Sequence, residues 1–403
     1  MCQSIRHEYV NKPALELADI FREYSQSYVN NHNLCSQQYK AIRAIIACRT
    51  QILGGHLSRC NACGYEVTSY NSCRNRHCPK CQSVQKERWI QARQLELLPI
   101  DYFHVVFTLP HSLNPLAQWK PALIYDLLFQ AASETLLQFS LNPKWLGAKP
   151  GITMVLHTWG QNLDQHIHVH CLISGGGLEK NGQWARCKKN FLFPVHALSK
   201  VFRGKYLEKL NEALTNQNIP IPGDKTNQTT VQQFISLLYQ QDWVVYAKPP
   251  FAGPAQVLSY LGRYTHRIAI GNQRLVSCQH NTVSFKWRDY ADNSKQKIMS
   301  LNANEFIRRY LLHILPKGFQ RLRHYGLLAN RYKKINLNQA RIALKQPEIK
   351  CSMKENIDKL MLRLTGTDIA LCPRCNSGRL NIVISFLPQW ITHSGDPPAE
   401  NIR

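Results

Sequence analysis

Acidic residues are what this chain has too few of: 25 Asp and Glu stand against 50 Lys and Arg in 403 residues, a formal charge of +25 with a pI near 9.6. That imbalance exceeds what solubility requires, and a polyanion is the expected partner. No apolar run reaches membrane-spanning length and no apolar h-region lies near the N-terminus, so neither insertion nor export is expected. Internal repeats and low-complexity linkers are missing as well. The chain reads as an intracellular, cytoplasmic protein of two or three domains. In that compartment its 14 cysteines are thiols or metal ligands rather than a disulfide framework, and the cluster between Cys60 and Cys81 argues for metal.

Cys60 and Cys63 form one C-x2-C and Cys78 and Cys81 another, at a spacing close to that of a zinc ribbon or treble-clef knuckle. Two such turns bring four thiolates into a tetrahedron, with Gly64 and Pro79 where knuckle turns want them. A closed four-ligand site leaves no open position for chemistry, so the expected zinc is structural. Cys73, His77 and His56 are further candidates, and a different set of four or a two-metal cluster remains open. Before the knuckle, Gln37 to Leu53 has the apolar period of a helix, stopped by Gly54-Gly55.

From Asp101 the texture changes. An apolar strand, DYFHVVFTLP, precedes a helical segment from about Pro115 to Phe139, and then comes GITMVLHTWGQNLDQHIHVHCLISGGG, from Gly151 to Gly177. This reads as a β-hairpin with a longish loop. Residues two apart on a strand share a face, so His168 and His170 point the same way, and the adjacent strand brings His157 beside them. His166 also alternates with His168, so 166/168 is a second choice of pair; 168/170 is preferred. Three imidazoles can hold a divalent cation and leave positions for water or phosphate oxygens, which makes a Lewis-acid site. A polar stretch near Glu179 to Gln240 reads as an insertion, followed by a strand at Trp243 to Ala247. Downstream, AQVLSYLGRYTHRIAI has a helix start and a helix period, with Tyr260 and Tyr264 one turn apart. A tyrosine attacks a phosphodiester covalently when a metal polarises the phosphate, and two tyrosines allow two transfers. Arg263, His266 and Arg267 lie beside them.

These elements, the HIHVH strand, the downstream Tyr-x3-Tyr and the cysteine knuckle (CNACG, RNRHCPKCQ), resemble the two-tyrosine rolling-circle transposases of the insertion-sequence 91 family. FTLPHSLNP, HTWGQNL, YLGRYTHRIAI and LPKGFQRLRHYGLLAN are similar to segments of the same enzymes, so the likeness spans roughly Gln37 to Asn330. Many relatives carry Pro where Ile167 stands, which leaves the alternation intact. The resemblance implies the His-hydrophobic-His endonuclease core shared with relaxases and replication initiators, an antiparallel sheet flanked by helices in an α+β fold. It further implies a transposase that nicks and joins single-stranded DNA at transposon ends and target with Mg2+ or Mn2+. By the same likeness one tyrosine keeps the 5′ phosphate and frees a 3′ hydroxyl, and the other accepts the second strand. His157 is supported as third ligand by analogy with three-histidine relaxases.

From Phe306 to Gln346 there is no Asp or Glu, while Arg308, Arg309, Lys317, Arg321 and Arg323 recur among aromatic residues. Cations that track phosphate and rings that stack on bases make this a DNA-binding candidate, together with Arg263 and Arg267. Cys372 and Cys375 form a lone C-x2-C, half of an incomplete knuckle unless Cys351 or His393 joins it. The tail after Gly395 is expected to be disordered. The expected division is a helical zinc-binding domain over 1–100, the nuclease domain over 101–300 and a basic, mainly helical DNA-binding region over 301–403. Two alternatives stand beside it: a relaxase or replication initiator with the same active site, and a zinc-containing DNA-binding protein without catalysis. No membrane and no small-molecule cofactor is expected, and nucleoid association is.

Overall fold

Two helices open the chain in the computed structural model of the protein, α1 (Leu17–Asn31) and α2 (Ser36–Ala47); the structure describes residues 14–188, 192–221, 230–248, 256–257, 262, 268–347 and 355–389. The apolar period of α2 does what such a stripe should, burying Ala41, Ile42 and Ile45 in one cluster with Leu17, Ile20 and Phe21 of α1. The helix stops earlier than its period suggests. Arg49 takes a positive φ of 58°, and residues 51–53 form a separate 3-10 turn before Gly54. A short hairpin, β1 (Gly55–Cys60) and β2 (Glu66–Tyr70), and helix α3 (Gln82–Gln94) complete this part.

Strand β3 (Tyr102–Thr108) leads into α4 (Asn114–Trp119) and α5 (Pro121–Leu141). The sequence suggests one helix here, but Pro121 disfavours helical backbone at Lys120, which sits at φ −123° and ψ 59°, so the segment breaks in two. The hairpin follows as β4 (Lys149–Trp159) and β5 (Gln165–Leu178), then β6 (Trp184–Arg186), α6 (Val195–Asn216), α7 (Val231–Tyr239) and β7 (Val245–Lys248). The stretch expected to be a polar insertion is not peripheral. Helix α6 buries Leu198, Phe202, Tyr206, Leu207 and Leu210, about 1.5–3 kcal/mol of apolar burial for each large aliphatic or Phe side chain. A second antiparallel sheet, β8 (Leu275–Gln279), β9 (Thr282–Asp289) and β10 (Lys295–Asn302), runs into α8 (Ala303–Leu311). The chain ends with β11 (Leu322–Gly326), α9 (Lys333–Ala343), α10 (Ile357–Thr365) and β12 (Leu380–Phe386).

The central sheet has the order β11-β4-β5-β3-β7, with β6 beside β5, and its strand pairs are antiparallel. With helices packed on it, the molecule is α+β. Register fixes which residues share a face. On one face Phe103, Val105 and Phe107 of β3, Ile152, Met154 and Leu156 of β4, and Ile167, Val169, Cys171 and Ile173 of β5 enter one apolar cluster with α5 and α6. The opposite face presents His157 opposite His168, His170 between Val155 and Val106, and His104 opposite Leu172.

Two strands from beyond residue 300 lie in sheets made otherwise of earlier residues. β11 is the edge of the central sheet against β4, and β12 pairs with β1. Consecutive segments of sequence are therefore not independent layers. Among the described residues no helix is long and apolar enough to cross a membrane.

Candidate functional site

The hairpin loop is held rigid before any ligand is considered. Gly160 N–H donates to the Asp164 carbonyl at 2.9 Å, and Leu163 takes a φ of 64° with its side chain buried. Arg309 donates to Asp164 Oδ1 at 2.6 Å and to the Asn162 carbonyl at 3.2 Å. His313 binds the Leu163 carbonyl through Nε2 at 3.0 Å and Thr158 Oγ1 through Nδ1 at 3.2 Å. The register shifts between His157 and Trp159, a bulge of the kind that re-aims side chains at sheet rims. Trp159 stacks on the His157 ring at 4.8 Å and 16°.

On this frame His157, His168 and His170 come together with one nitrogen each within 4.8 Å of the others. His157 and His168 are buried and His170 is half-buried. Nδ1 of His168 donates to the His166 carbonyl at 2.9 Å, and Nδ1 of His170 meets His104 Nε2 at 3.0 Å. The His166 carbonyl only accepts, so His168 is protonated on Nδ1 and turns its Nε2 lone pair inward; His170 does the same in the tautomer in which its Nδ1 donates to His104. Those two Nε2 atoms are 3.1 Å apart. Ligands about 2.0–2.2 Å from a common cation stand roughly 3.0–3.4 Å from each other, so the residues fit a divalent ion. His166 is not in this group; its ring lies 5.6 Å from that of His111.

His104 escaped sequence reasoning. Its signal was present, since it alternates along β3 with the period that marks His168 and His170, but the strand pairing that brings it to His170 is not legible in one strand. Burial pushes its pKa down to about 3, so it is the neutral imidazole that meets His170.

Tyr260, Tyr264, Arg263, His266 and Arg267 lie outside the described residues. Val257 and Gly262, on either side of Tyr260 in sequence, are described. Val257 is fully buried in a cluster with Tyr102 and Leu172, which lies two residues beyond His170 on the same face. Gly262 approaches α3 so closely that a Cβ there would sit 2.3 Å from Ile90 Cδ1.

The cysteines group differently from the sequence expectation. Cys60 and Cys63 do not share a site with Cys78 and Cys81. Cys78 and Cys81 join Cys48 and Cys73, and Cys60 and Cys63 join Cys372 and Cys375, each quartet with sulfurs within 4.8 Å. The reason is chain direction: β1 and β2 carry the first C-x2-C away from α3, while Cys48 at the end of α2 and Cys81 at the start of α3 face each other inside the helical cluster. There Cys81 Sγ lies 3.5 Å from the sulfurs of Cys48 and Cys73, near the separation of about 3.8 Å that a zinc tetrahedron with 2.3 Å bonds requires. Thiol donors from Cys73 and Cys78 draw the Cys48 pKa down to about 7. His77 is no ligand: its Nε2 accepts from Leu315 N–H at 3.4 Å, and burial lowers its pKa to about 3. His56 lies in β1 outside both quartets. Cys351 and His393 lie outside the described residues.

Several described cations of the basic segment have partners within the chain. Arg308 and Arg309 pair with Glu305, and Arg309 with Asp164 as well. Arg323 pairs with Asp126 and lies over the rings of Phe129 and Phe319, at 4.3 and 5.1 Å. Arg321 is buried deeply enough that its pKa falls to about 10. Of this described set Arg308 and Lys317 are exposed residues. The carboxylates absent from Phe306 to Gln346 are supplied by other parts of the chain.

Comparison with known proteins gives the family of the chain. Residues 20–109 match the family described as "Transposase zinc-binding domain", of the insertion-sequence 91 type, and residues 151–335 match the family described as "Putative transposase". "Putative transposase y4qJ" of Sinorhizobium fredii (strain NBRC 101917 / NGR234) is 45% identical over 380 residues, 92% of this chain and 95% of that protein. "Transposase for insertion sequence element IS801" of Pseudomonas savastanoi pv. phaseolicola is 29% identical over 301 residues, 73% of this chain and 71% of that one. No solved structure matches the chain.

Proposed function

This chain belongs to the insertion-sequence 91 family of transposases, and from that premise we propose that it nicks and joins single-stranded DNA through a 5′-phosphotyrosine in rolling-circle transposition. The observation that carries the proposal is the histidine triad, three ring nitrogens gathered within 4.8 Å on two paired strands. Bound there, Mg2+ or Mn2+ would supply Lewis-acid polarisation of the scissile phosphate.

The nucleophile is Tyr260 or Tyr264. A phenol with a pKa near 10 is a poor nucleophile at neutral pH, which is why it needs an electrophilic phosphate held in place. Its oxygen bonds to phosphorus as the bond from phosphorus to the 3′ oxygen breaks. The phenol proton passes to solvent, and the departing 3′ oxygen takes up a proton. One phosphate diester replaces another, so the exchange is reversible. Attack by a 3′ hydroxyl on the phosphotyrosine joins strands and restores the phenol. Two tyrosines allow one strand to be held while the second is cut. Burial of Val257 beside Leu172 supports a tyrosine segment that docks on the histidine face.

The partner is single-stranded DNA at the element's ends and target. Arg308, Arg309 and Arg323 are paired with carboxylates of the chain, and it is the overall charge of +25 that attracts the DNA. The test is a labelled single strand carrying an element end, incubated with Mn2+. A detergent-resistant adduct is expected, with the nucleotide on the peptide of Tyr260 or Tyr264. An adduct that persists in the Tyr260→Phe, Tyr264→Phe double variant would overturn the assignment of the nucleophile.

A further inference from the structure

The cysteine pair near the C-terminus has no function in the account so far. Cys372 and Cys375 sit on a turn closed by the Leu371–Arg379 bridge, and their sulfurs face the turn between β1 and β2. Cys60 Sγ lies 3.7 Å from Cys375 Sγ, and Cys63 Sγ lies 3.7 Å from Cys372 Sγ. A disulfide would bring sulfurs to about 2.05 Å. A tetrahedral thiolate site with 2.3 Å bonds requires about 3.8 Å between sulfurs. The observed spacing is that of the metal site.

The backbone repeats itself around the two pairs. Gly64 N–H donates to the Cys60 carbonyl at 3.2 Å, and Asn376 N–H to the Cys372 carbonyl at 3.0 Å. Gly64 and Asn376 both take a positive φ, 71° and 53°. Sulfur accepts backbone N–H groups in each turn: Cys60 Sγ from Ala62 at 3.4 Å and Cys63 at 3.5 Å, Cys375 Sγ from Gly378 at 3.3 Å. Such bonds stabilise thiolate over thiol. The turns are also fitted to each other. Arg379 N–H donates to Asn61 Oδ1 at 2.8 Å, and Asn61 N–H to the Arg379 carbonyl at 3.0 Å. At Gly378 a Cβ would fall 2.4 Å from Cys60 Sγ, so only glycine fits.

We propose that Cys60, Cys63, Cys372 and Cys375 bind a second structural zinc, independent of the Cys48, Cys73, Cys78, Cys81 site, and that it staples the end of the chain onto the N-terminal hairpin. The result is a zinc ribbon, two knuckles over the sheet β12-β1-β2, whose halves lie more than 300 residues apart in sequence. Little else could replace the metal. β12 is largely exposed, with Ile382 at 62% and Ile384 at 54%, and the ion pair of Arg363 with Glu87 and Glu355 lies at the surface, where such pairs contribute little. A three-stranded sheet with so little buried face needs a staple.

The full-length protein purified without added metal is expected to hold two zinc ions per chain, one for each quartet. Cys372→Ser with Cys375→Ser should halve the zinc, and hydrogen exchange should speed up over β1, β2 and β12 while α1, α2 and the central sheet stay protected. In parallel, the wild-type protein is treated with N-ethylmaleimide before and after chelation, a readout that needs no variant to fold. Cys372 and Cys375 should resist alkylation until zinc is removed. One zinc per wild-type chain, or free alkylation of these two cysteines in zinc-loaded protein, would overturn the proposal.

Discussion

The two faces of the central sheet are made from alternate residues of the same strands and have opposite chemistry. The face toward α5 and α6 is an apolar cluster in which Phe107, Ile152, Val169, Cys171 and Phe202 are completely buried. The other face carries His104, His157, His168, His170 and, in β11 opposite Thr153, His324. What the comparison teaches is a division of labour that a strand provides at no cost in length: one parity of residues supplies folding energy, and the other is left for chemistry. The helix face holds the strands in register, and register is what places His157 opposite His168.

Substitutions on the two faces should therefore fail in different ways. The largest effect is expected from His168→Ala or His170→Ala, which should reduce strand cleavage by about a thousandfold or more, since several kcal/mol of charge stabilisation go with the metal. Melting temperature should move little, and single-strand binding should survive. Activity retained in both variants would place the chemistry elsewhere. Across the sheet, Phe202→Ala should lower folding stability by about 3–5 kcal/mol, measured by denaturant titration. Its folded fraction should cut DNA at the wild-type rate; a loss of rate without a loss of stability would break the division.

His104 tests whether the face is a site or only a row of histidines. His104→Ala leaves all three ligands in place but frees Nδ1 of His170, and a drop of roughly 10–100-fold in Mn2+ affinity is expected, as for other partners of metal-bound histidines. Unchanged affinity would make His104 a packing residue. Next in size is the pH dependence. Burial holds His324 near a pKa of about 3 and His313 near about 4, below the ordinary value of 6.5. A lowered pKa means the unfolded chain takes up protons that the folded one refuses, so stability is full above pH 6.5 and falls as the pH drops toward 4. The slope is up to about 1.4 kcal/mol per pH unit for each histidine. Urea titrations at pH 7 and 5 measure it, and His313→Asn should flatten it in part. The smallest effect is expected from Arg323→Ala, which removes a guanidinium stacked on Phe129 and Phe319, about 0.5–2 kcal/mol. The salt dependence of DNA binding should stay as it was, because Arg323 already has Asp126.

The histidine hairpin was legible because its signal is local. Alternation fixes the face of His168 and His170, and a short loop fixes the neighbour strand that carries His157. What sequence reasoning misjudged depended on partners far along the chain. Cys60 and Cys63 looked complete with Cys78 and Cys81 because spacing was the available guide, whereas β12 brings their partners from beyond residue 370. The carboxylate-free stretch read as a run of unpaired charge, yet Arg308, Arg309 and Arg323 find Glu305, Asp164 and Asp126 just outside it or across the fold. Local composition reports a charge without reporting what neutralises it. Helix α6 was hidden for a related reason: its apolar residues are diluted by lysines, of which Lys205 and Lys209 pair with Glu134 of α5, and the sheet they cover was not yet on view.

The central claim is that His157, His168 and His170 hold the catalytic cation, and manganese binding tests it most directly. Zinc-loaded protein titrated with Mn2+ and followed by electron paramagnetic resonance should take up one tightly held ion per chain. That ion should be lost in His157→Ala and in His168→Ala, while the zinc content of both variants stays at the wild-type level. Undiminished manganese binding in these two variants, with zinc intact, would contradict the account.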